Sequence, residues 1–308
     1  MNKLETVLRL FGGYFPSSCG IQDLSGFTTW NTGGPAVMLK AESKGMLADI
    51  LGVCTKEGIP WLVLGRGSNV LVSDDGFHGA VIRLTGALAD AEWKDCPGSW
   101  TVRAGAGISL PRLAGAACTK GASGLAFAIG IPGTLGGAVC MNAGAYGSSI
   151  SDRIEKVEEL TLNGSFETVR PEDCGFQYRT SIFLDRGTII TGAVLLLEKD
   201  DPAALRKEAG RLLQMRRDKF PLEYPNAGSV FRKPDEGVPP GKLIEDAGLK
   251  GTRVGDAMVS KKHANFIVNL GSAKSEDIRE LIGVVREEVL VFSGILLHEE
   301  IRYIGWRS

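Results

Sequence analysis

Three polar side chains stand out for their surroundings in the sequence. Ser229 closes the turn Pro225-Asn-Ala-Gly-Ser229, with Lys219, Arg232 and Lys233 nearby. It lacks a nearby base, so a Ser–His nucleophile is not indicated. A hydroxyl beside cationic groups can instead donate a proton. Arg179, in Tyr178-Arg-Thr-Ser181, is a guanidinium in a neutral, partly apolar setting. Such a group can fork onto a carboxylate or a phosphate. Glu300 lies in Leu297-His-Glu-Glu-Ile-Arg-Tyr-Ile304. On a strand of period two, His298, Glu300 and Arg302 share one face. A carboxylate between two such neighbours suits acid–base or charge-orienting work. Each feature also has a plainer reading: an Asn/Gly/Ser turn, a strand-end arginine, an exposed charge ladder.

Two glycine clusters suggest a ligand. Gly65-Arg-Gly-Ser-Asn69 lies between two apolar runs, where successive backbone N–H groups can form an anion-binding nest. An ordinary tight hairpin is the alternative. The stretch from Gly130 to Gly147, GIPGTLGGAVCMNAGAYG, is glycine-rich and uncharged. Ordering such a segment costs much backbone entropy, which is hard to explain unless something flat or anionic lies against it. A tightly packed Gly/Ala helix contact is the competing explanation. Neither cluster is a P-loop, since GxxxxGK[ST] is absent. Gly65-x-Gly67 and Gly105-x-Gly107 each lack the third glycine of a Rossmann fingerprint.

The elements that must position these groups follow from periodicity. Residues 2–12 predict a helix with Leu4, Val7, Leu8 and Phe11 on one face. Residues 37–41, 61–64, 70–72 and 80–84 read as strands, with a helix capped by Ser43 after the first, giving a βαββ-like unit. A second unit has a strand at 100–104, a helix at 110–119 and strands at 154–163, 166–170 and 188–198. Pro202 opens a basic helix to about Asp218, and the boundary falls near 200–220. Beyond it, Ser275 caps an amphipathic helix with Ile278, Leu281, Ile282, Val285 and Val289 in phase. A final strand runs from Ile295 to Ile304.

Bulk properties narrow the class. The chain has 308 residues, 44% of them hydrophobic and 23% charged, with a net charge of −1. It can bury real cores, and it lacks the basic surplus that nucleic acid favours. Glycine accounts for 41 residues, nearly twice the usual share of roughly 7%. Six cysteines without a CxxC pair read as free thiols in a reducing compartment. Three dispersed histidines predict no metal site. With no leader pattern and no apolar run long enough to span a bilayer, a cytoplasmic location is expected.

Seven stretches in order resemble the UDP-N-acetylenolpyruvoylglucosamine reductase family (MurB). They are NTGGPA (31–36), LGRGSNVLVSD (64–74), AIGIPGTLGGAVCMNAGAYG (128–147), YRTSIF (178–183), PNAGSVFRKP (225–234), KKHANFIVN (261–269) and LHEEIRYIG (297–305). The resemblance implies an α+β fold. A two-subdomain FAD-binding domain of the vanillyl-alcohol-oxidase (PCMH) type would be followed by a smaller substrate-binding domain. The expected units are 1–90, 91–203 and 204–308, with the PCMH-type region at about 31–198. The short interval from Arg179 to Asn226 places the chain nearer the compact branch of the family.

It further implies non-covalent FAD, NADPH as hydride donor, and a nucleotide-sugar substrate. UDP-N-acetylglucosamine enolpyruvate would become UDP-N-acetylmuramate, a step of peptidoglycan precursor synthesis. No nucleic acid or membrane partner is expected, and a monomer is. Carried over by motif, Arg179 and Glu300 would stabilise the enolate and Ser229 would supply the proton. The cofactor would lie on Gly65, Arg66, Gly67, Ser68, Asn69, Val70 and Leu71. Its second wall would be Gly130, Ile131, Pro132, Gly133, Gly136, Gly137, Asn142, Ala143, Gly144 and Ala145. Tyr178, Lys219, Asn226, Gly228, Arg232 and Asn265 would position the substrate. The chain departs from the family pattern at His298, where Glu is usual, and at Lys233, where Asn is. Competing readings are another flavin oxidase or dehydrogenase of this fold, and a non-catalytic UDP-sugar-binding protein.

Overall fold

The computed structural model describes residues 3–233 and 237–306. Asn2 and Pro234, which belong to stretches read above, lie outside the described residues. Helix α1 (Lys3–Tyr14) buries Leu4, Val7 and Phe11. Strands β1 (Cys19–Asp23) and β2 (Pro35–Ala41) follow, then helix α2 (Lys44–Glu57). The Ser43 side chain accepts from Met46 N at 3.2 Å, and Gly58 in the left-handed region closes α2. Next come β3 (Trp61–Val63), β4 (Val70–Val72) and β5 (Phe77–Leu84).

The first sheet has the order β1-β2-β5-β3, with β2, β5 and β3 mutually parallel. β4 is not part of it, which overturns the hairpin alternative for Gly65–Asn69. β3 pairs with β5, while β4 pairs with the last strand of the chain. Gly67 has φ +60°, and a Cβ there would stand 2.3 Å from Phe27 O, so the turn that leads the chain out of the sheet has room only for glycine.

The second sheet, β11-β10-β12-β7-β6, is wholly antiparallel. It contains β6 (Ala91–Cys96) and β7 (Ser99–Gly105), then, after helices α3 (Leu110–Lys120) and α4 (Leu135–Cys140) and the short pair β8 (Gly144–Ala145) and β9 (Ser148–Ser149), β10 (Ile154–Leu160), β11 (Phe166–Val169) and β12 (Ile189–Glu198). Helix α5 (Pro202–Lys219) starts on Asp201, whose carboxylate accepts from Ala203 N and Ala204 N. Its Leu205 and Ala209 pack on Cys118 of α3.

The last part holds α6 (Pro240–Asp246), the small antiparallel sheet β13 (Arg253–Val254), β14 (Ala257–Val259) and β15 (Ile267–Asn269), then α7 (Ser275–Ser293) and β16 (Arg302–Ile304). All five apolar residues expected on α7 are buried. The expected cap is displaced, because Lys274 is the N-cap and Ser275 is a buried first residue. The true cap is remote in sequence: Asp74 accepts from Ser275 N and Glu276 N at 3.0 and 3.2 Å. The final strand is also shorter than read, with an isolated bridge at Glu299 preceding the three residues of β16.

One hydrophobic cluster joins α1, both large sheets, α2, α3 and α4. A second joins α6, α7 and the small sheet, and draws in Trp30 and Leu71 from the first unit. Trp30 is fully buried there; its Nε1 donates to Ile267 O at 2.8 Å, and its carbonyl accepts from Asn269 Nδ2 at 2.9 Å.

Candidate active site

The two glycine clusters meet. Ser68 Oγ donates to Pro132 O, and a Cβ on Gly65 would stand 2.6 Å from Thr134 Oγ1. Thr134 caps α4, accepting from Gly137 N at 3.4 Å. Part of the glycine-rich stretch, residues 134–140, is therefore a short helix and its cap. Packing explains several of its glycines. A Cβ on Gly136 would meet Ala106 Cβ at 2.9 Å, one on Gly144 would meet Ser148 O at 2.6 Å, and one on Gly130 would meet Arg216 Cδ at 2.6 Å. Gly133 and Gly137 differ, with nothing nearer than 3.9 and 3.7 Å.

Two cavities open beside this junction. One of 230 Å³ lies among Gly65, Thr134, Gly137, Cys140, Ile189 and Ile190. The other, of 640 Å³, is lined by Thr28, Arg66, Gly130, Pro132, Arg216 and Asn226 among others. Arg83 borders both. Among the described residues, Arg66, Arg83 and Arg216 have no carboxylate partner. No hydrogen bond within those residues takes up the backbone N–H of Arg66, Gly67, Ser68 or Gly133. Three guanidiniums without a carboxylate partner around one space, with free N–H groups in the two turns beside it, are a donor set suited to an anion. A dinucleotide cofactor with a diphosphate fits that donor set.

Not every residue expected at the cofactor faces this space. Leu71 is fully buried in the C-terminal core. Asn142, buried with φ +42°, spends its amide on Gln177 O (3.0 Å) and Ser151 N (3.3 Å). It hangs the Gln177–Thr180 turn from the glycine-rich segment. Asn69 Nδ2 donates to Glu300 O at 3.2 Å, and its carbonyl accepts from Arg302 N at 3.0 Å. The first nest thus fixes the backbone that carries Glu300.

Arg179 stands at the tip of that turn, in the left-handed region at φ +56°. Ser181 Oγ anchors the turn on Cys140 O at 2.7 Å. Arg179 Nη1 donates to Gly144 O at 3.2 Å, and its Nε lies 2.8 Å from Glu300 Oε1. The Glu300 side chain is only 11% exposed. Burial raises its pKa above the ordinary carboxylate value, against the opposing pull of Arg179 and Arg232. Glu300 N donates to Val230 O at 2.7 Å, so Glu300 and the Ser229 segment run side by side. The Ser229 hydroxyl is part-exposed and makes no hydrogen bond among the described residues.

The substrate-positioning expectations divide. Asn226 donates to Pro221 O and Tyr224 O and accepts from Gly228 N. Asn265 is buried, accepting from Phe231 N at 3.0 Å and donating to Phe231 O at 2.9 Å. Both amides build the Ser229 loop, and Asn226 also lines the 640 Å³ cavity. Tyr178 is exposed, with Arg179 over its ring at 5.3 Å. Arg232 and Lys219 are exposed, and Arg232 Nε donates to Glu299 O at 3.1 Å. Sequence reasoning missed Arg83 and Arg216. Arg216 sits in the basic run Arg216-Arg-Asp-Lys219, of which only Lys219 was singled out and the rest read as a charged helix face.

Comparison with known proteins adds an independent finding. Residues 220–304 match the family described as UDP-N-acetylenolpyruvoylglucosamine reductase, C-terminal domain, and residues 35–170 match an FAD binding domain. A UDP-N-acetylenolpyruvoylglucosamine reductase of Heliobacterium modesticaldum is 42% identical over 285 residues, covering 92% of this chain and 90% of that protein. The one of Lachnoclostridium phytofermentans is 40% identical over 288 residues, with 92% of each covered. The crystal structure of UDP-N-acetylenolpyruvylglucosamine reductase (MurB) from Thermus caldophilus superimposes with a TM-score of 0.79 at 36% identity. That match covers 93% of this chain and 98% of the other.

Proposed function

The chain belongs to the UDP-N-acetylenolpyruvoylglucosamine reductase family, and from that membership we propose that it reduces UDP-N-acetylglucosamine enolpyruvate to UDP-N-acetylmuramate for peptidoglycan synthesis. FAD is its cofactor and NADPH its hydride donor. The observation that carries the reading is the half-buried Arg179–Glu300 pair beside Ser229, set between the glycine-rich segment and the C-terminal strand.

The free N–H groups of residues 66–68 and 133, with Arg66 and Arg83, would hold the FAD diphosphate. Bound FAD supplies the hydride. Hydride addition to the vinyl carbon without oxygen leaves negative charge spread over the substrate carboxylate. Arg179 faces that charge from a fixed turn and needs no reorganisation to meet it. Glu300, its pKa raised by burial, adds a hydrogen-bond donor when protonated. Ser229, its hydroxyl uncommitted, protonates the adjacent carbon. Lys219, Tyr178 and Arg232 lie toward the substrate's diphosphate and sugar in this reading, while Gly228, Asn226 and Asn265 shape the Ser229 loop.

The substrate-binding unit begins near residue 220 in this reading, and not at 204, because α5 packs on α3. No helix among the described residues is long and apolar enough to cross a membrane. A cytoplasmic monomer acting on a small nucleotide sugar belongs to the same proposal. FAD-loaded protein should lose its flavin absorbance under anaerobic NADPH and regain it on adding the enolpyruvyl substrate. A protein that takes up no FAD, or whose reduced flavin ignores that substrate, would sink the proposal.

A further inference from the structure

The basic end of α5 lies toward the ligand in the reading above, but its side chains need something to hold them there. The helix closes on Arg216, Arg217 and Lys219, where the helix dipole favours cations. Phe220 then leaves the helix with extended backbone, its N–H still bonded to Arg216 O at 3.0 Å. The Arg216 guanidinium carbon is 5.1 Å from the Phe220 ring centroid, and Lys219 Nζ is 5.6 Å from it. One ring carries two cations.

That ring is fixed in turn. It stacks on buried Phe266, centroids 4.9 Å apart and planes 23° apart, and touches the His263 ring at 5.2 Å. His263 packs edge-on against Phe266 at 5.0 Å. Phe220 cannot swing away without breaking two ring contacts. Long cationic side chains of like charge, left free, would separate into water. Arg216 instead lies half-buried along Gly130, lines the 640 Å³ cavity and has no carboxylate partner among the described residues.

We infer that the Phe220–Phe266–His263 stack is a positioning platform that presents Arg216 and Lys219 together to a diphosphate at this cavity. The inference rests on reading the cavity as part of the nucleotide site. FAD and the nucleotide sugar each contain a diphosphate, and separate titrations distinguish them. Phe220→Leu removes the aromatic face, and Phe220→Trp restores one. On FAD-loaded protein, Phe220→Leu should weaken UDP binding by calorimetry roughly five- to thirty-fold, the range for a lost desolvated cation–π contact. KM for the nucleotide sugar should rise by a similar factor while kcat stays within about twofold, and Phe220→Trp should return both toward wild type. If FAD affinity of the apoprotein falls instead, the diphosphate is the cofactor's and the platform stands. Unchanged UDP and FAD affinity with only a lower melting temperature would reduce the stack to packing and overturn the inference. Should Phe220→Leu fail to fold, His263→Leu removes one support of the ring and carries the same expectation. Arg216→Met and Lys219→Met test the underlying reading; if neither alters UDP or FAD affinity, the cavity itself has been misassigned.

Discussion

At the scale of single residues, Ser229 and Glu300 make separable predictions. If Ser229 supplies only the proton, Ser229→Ala should leave flavin reduction by NADPH intact. Reoxidation by substrate should slow by about 10²- to 10⁴-fold, the usual worth of a positioned proton donor. Stopped-flow traces of the two half-reactions separate these, and equal losses in both would reject the role. Glu300 titrates against burial, so its folded pKa lies above the ordinary value of 4.5. The folded state then holds its proton more tightly than the unfolded chain. This contribution to stability is complete below the ordinary pKa and is lost as pH rises through the raised one. Urea midpoints measured across that window should fall with pH in the wild type and flatten in Glu300→Gln. An unchanged slope in the variant would mean that Arg179 offsets the burial fully.

Elements show which parts of the site were legible in advance and which were not. α1, α2 and α7 were visible because apolar residues recur at helical spacing, α3 as a run of small residues, and α5 from Pro202 at its start and its basic face. β6, alternating and mostly exposed, buries too little to leave a pattern, and the small-sheet strands, two or three residues each, are too short to show a period. The Arg179–Glu300 pair was nameable by motif, but the side-chain work of Asn142, Asn226 and Asn265 was not. Their amides satisfy backbone groups remote in sequence or folded back in a turn, and nothing local announces that. The glycine-rich stretch was legible as a whole and misleading in its parts. Gly136→Ala should cost about 1–3 kcal/mol in unfolding free energy, because its Cβ would press on Ala106 at 2.9 Å. Gly133→Ala has room, with no neighbour nearer than 3.9 Å. It should leave the apoprotein's stability nearly unchanged and weaken FAD binding roughly tenfold. Equilibrium denaturation and flavin titration of both variants check the pair, and the reverse pattern would mean that packing and ligand glycines have been exchanged.

At the scale of the whole molecule, the FAD-binding part and the C-terminal part are joined by contacts that cross between them repeatedly. β16 pairs with β4, Asp74 caps α7, Trp306 Nε1 donates to Leu71 O at 3.1 Å, and Trp30 fills the C-terminal core. The FAD-binding domain and the segments that carry Ser229 and Glu300 therefore share one mechanical unit. Ligand binding to one part then stabilises the other. At FAD a hundredfold above its Kd, the folded state gains about 2.7 kcal/mol by mass action. Coupling through the junction predicts that calorimetry sees one transition and that FAD raises it as a whole. Trp30→Phe with Asn269→Ala removes both hydrogen bonds between Trp30 and the small sheet, and with them the two that Asn269 Oδ1 accepts from Gly271 N and Ala273 N. Each bond contributes about 1 kcal/mol, enough to loosen the C-terminal part without emptying its core. The double variant should show two transitions, and FAD should shift only the one that belongs to the FAD-binding part. A single transition with an undiminished FAD shift would place the coupling elsewhere, in the β4–β16 pairing and the Asp74 cap, and Asp74→Ala would be the variant that splits it.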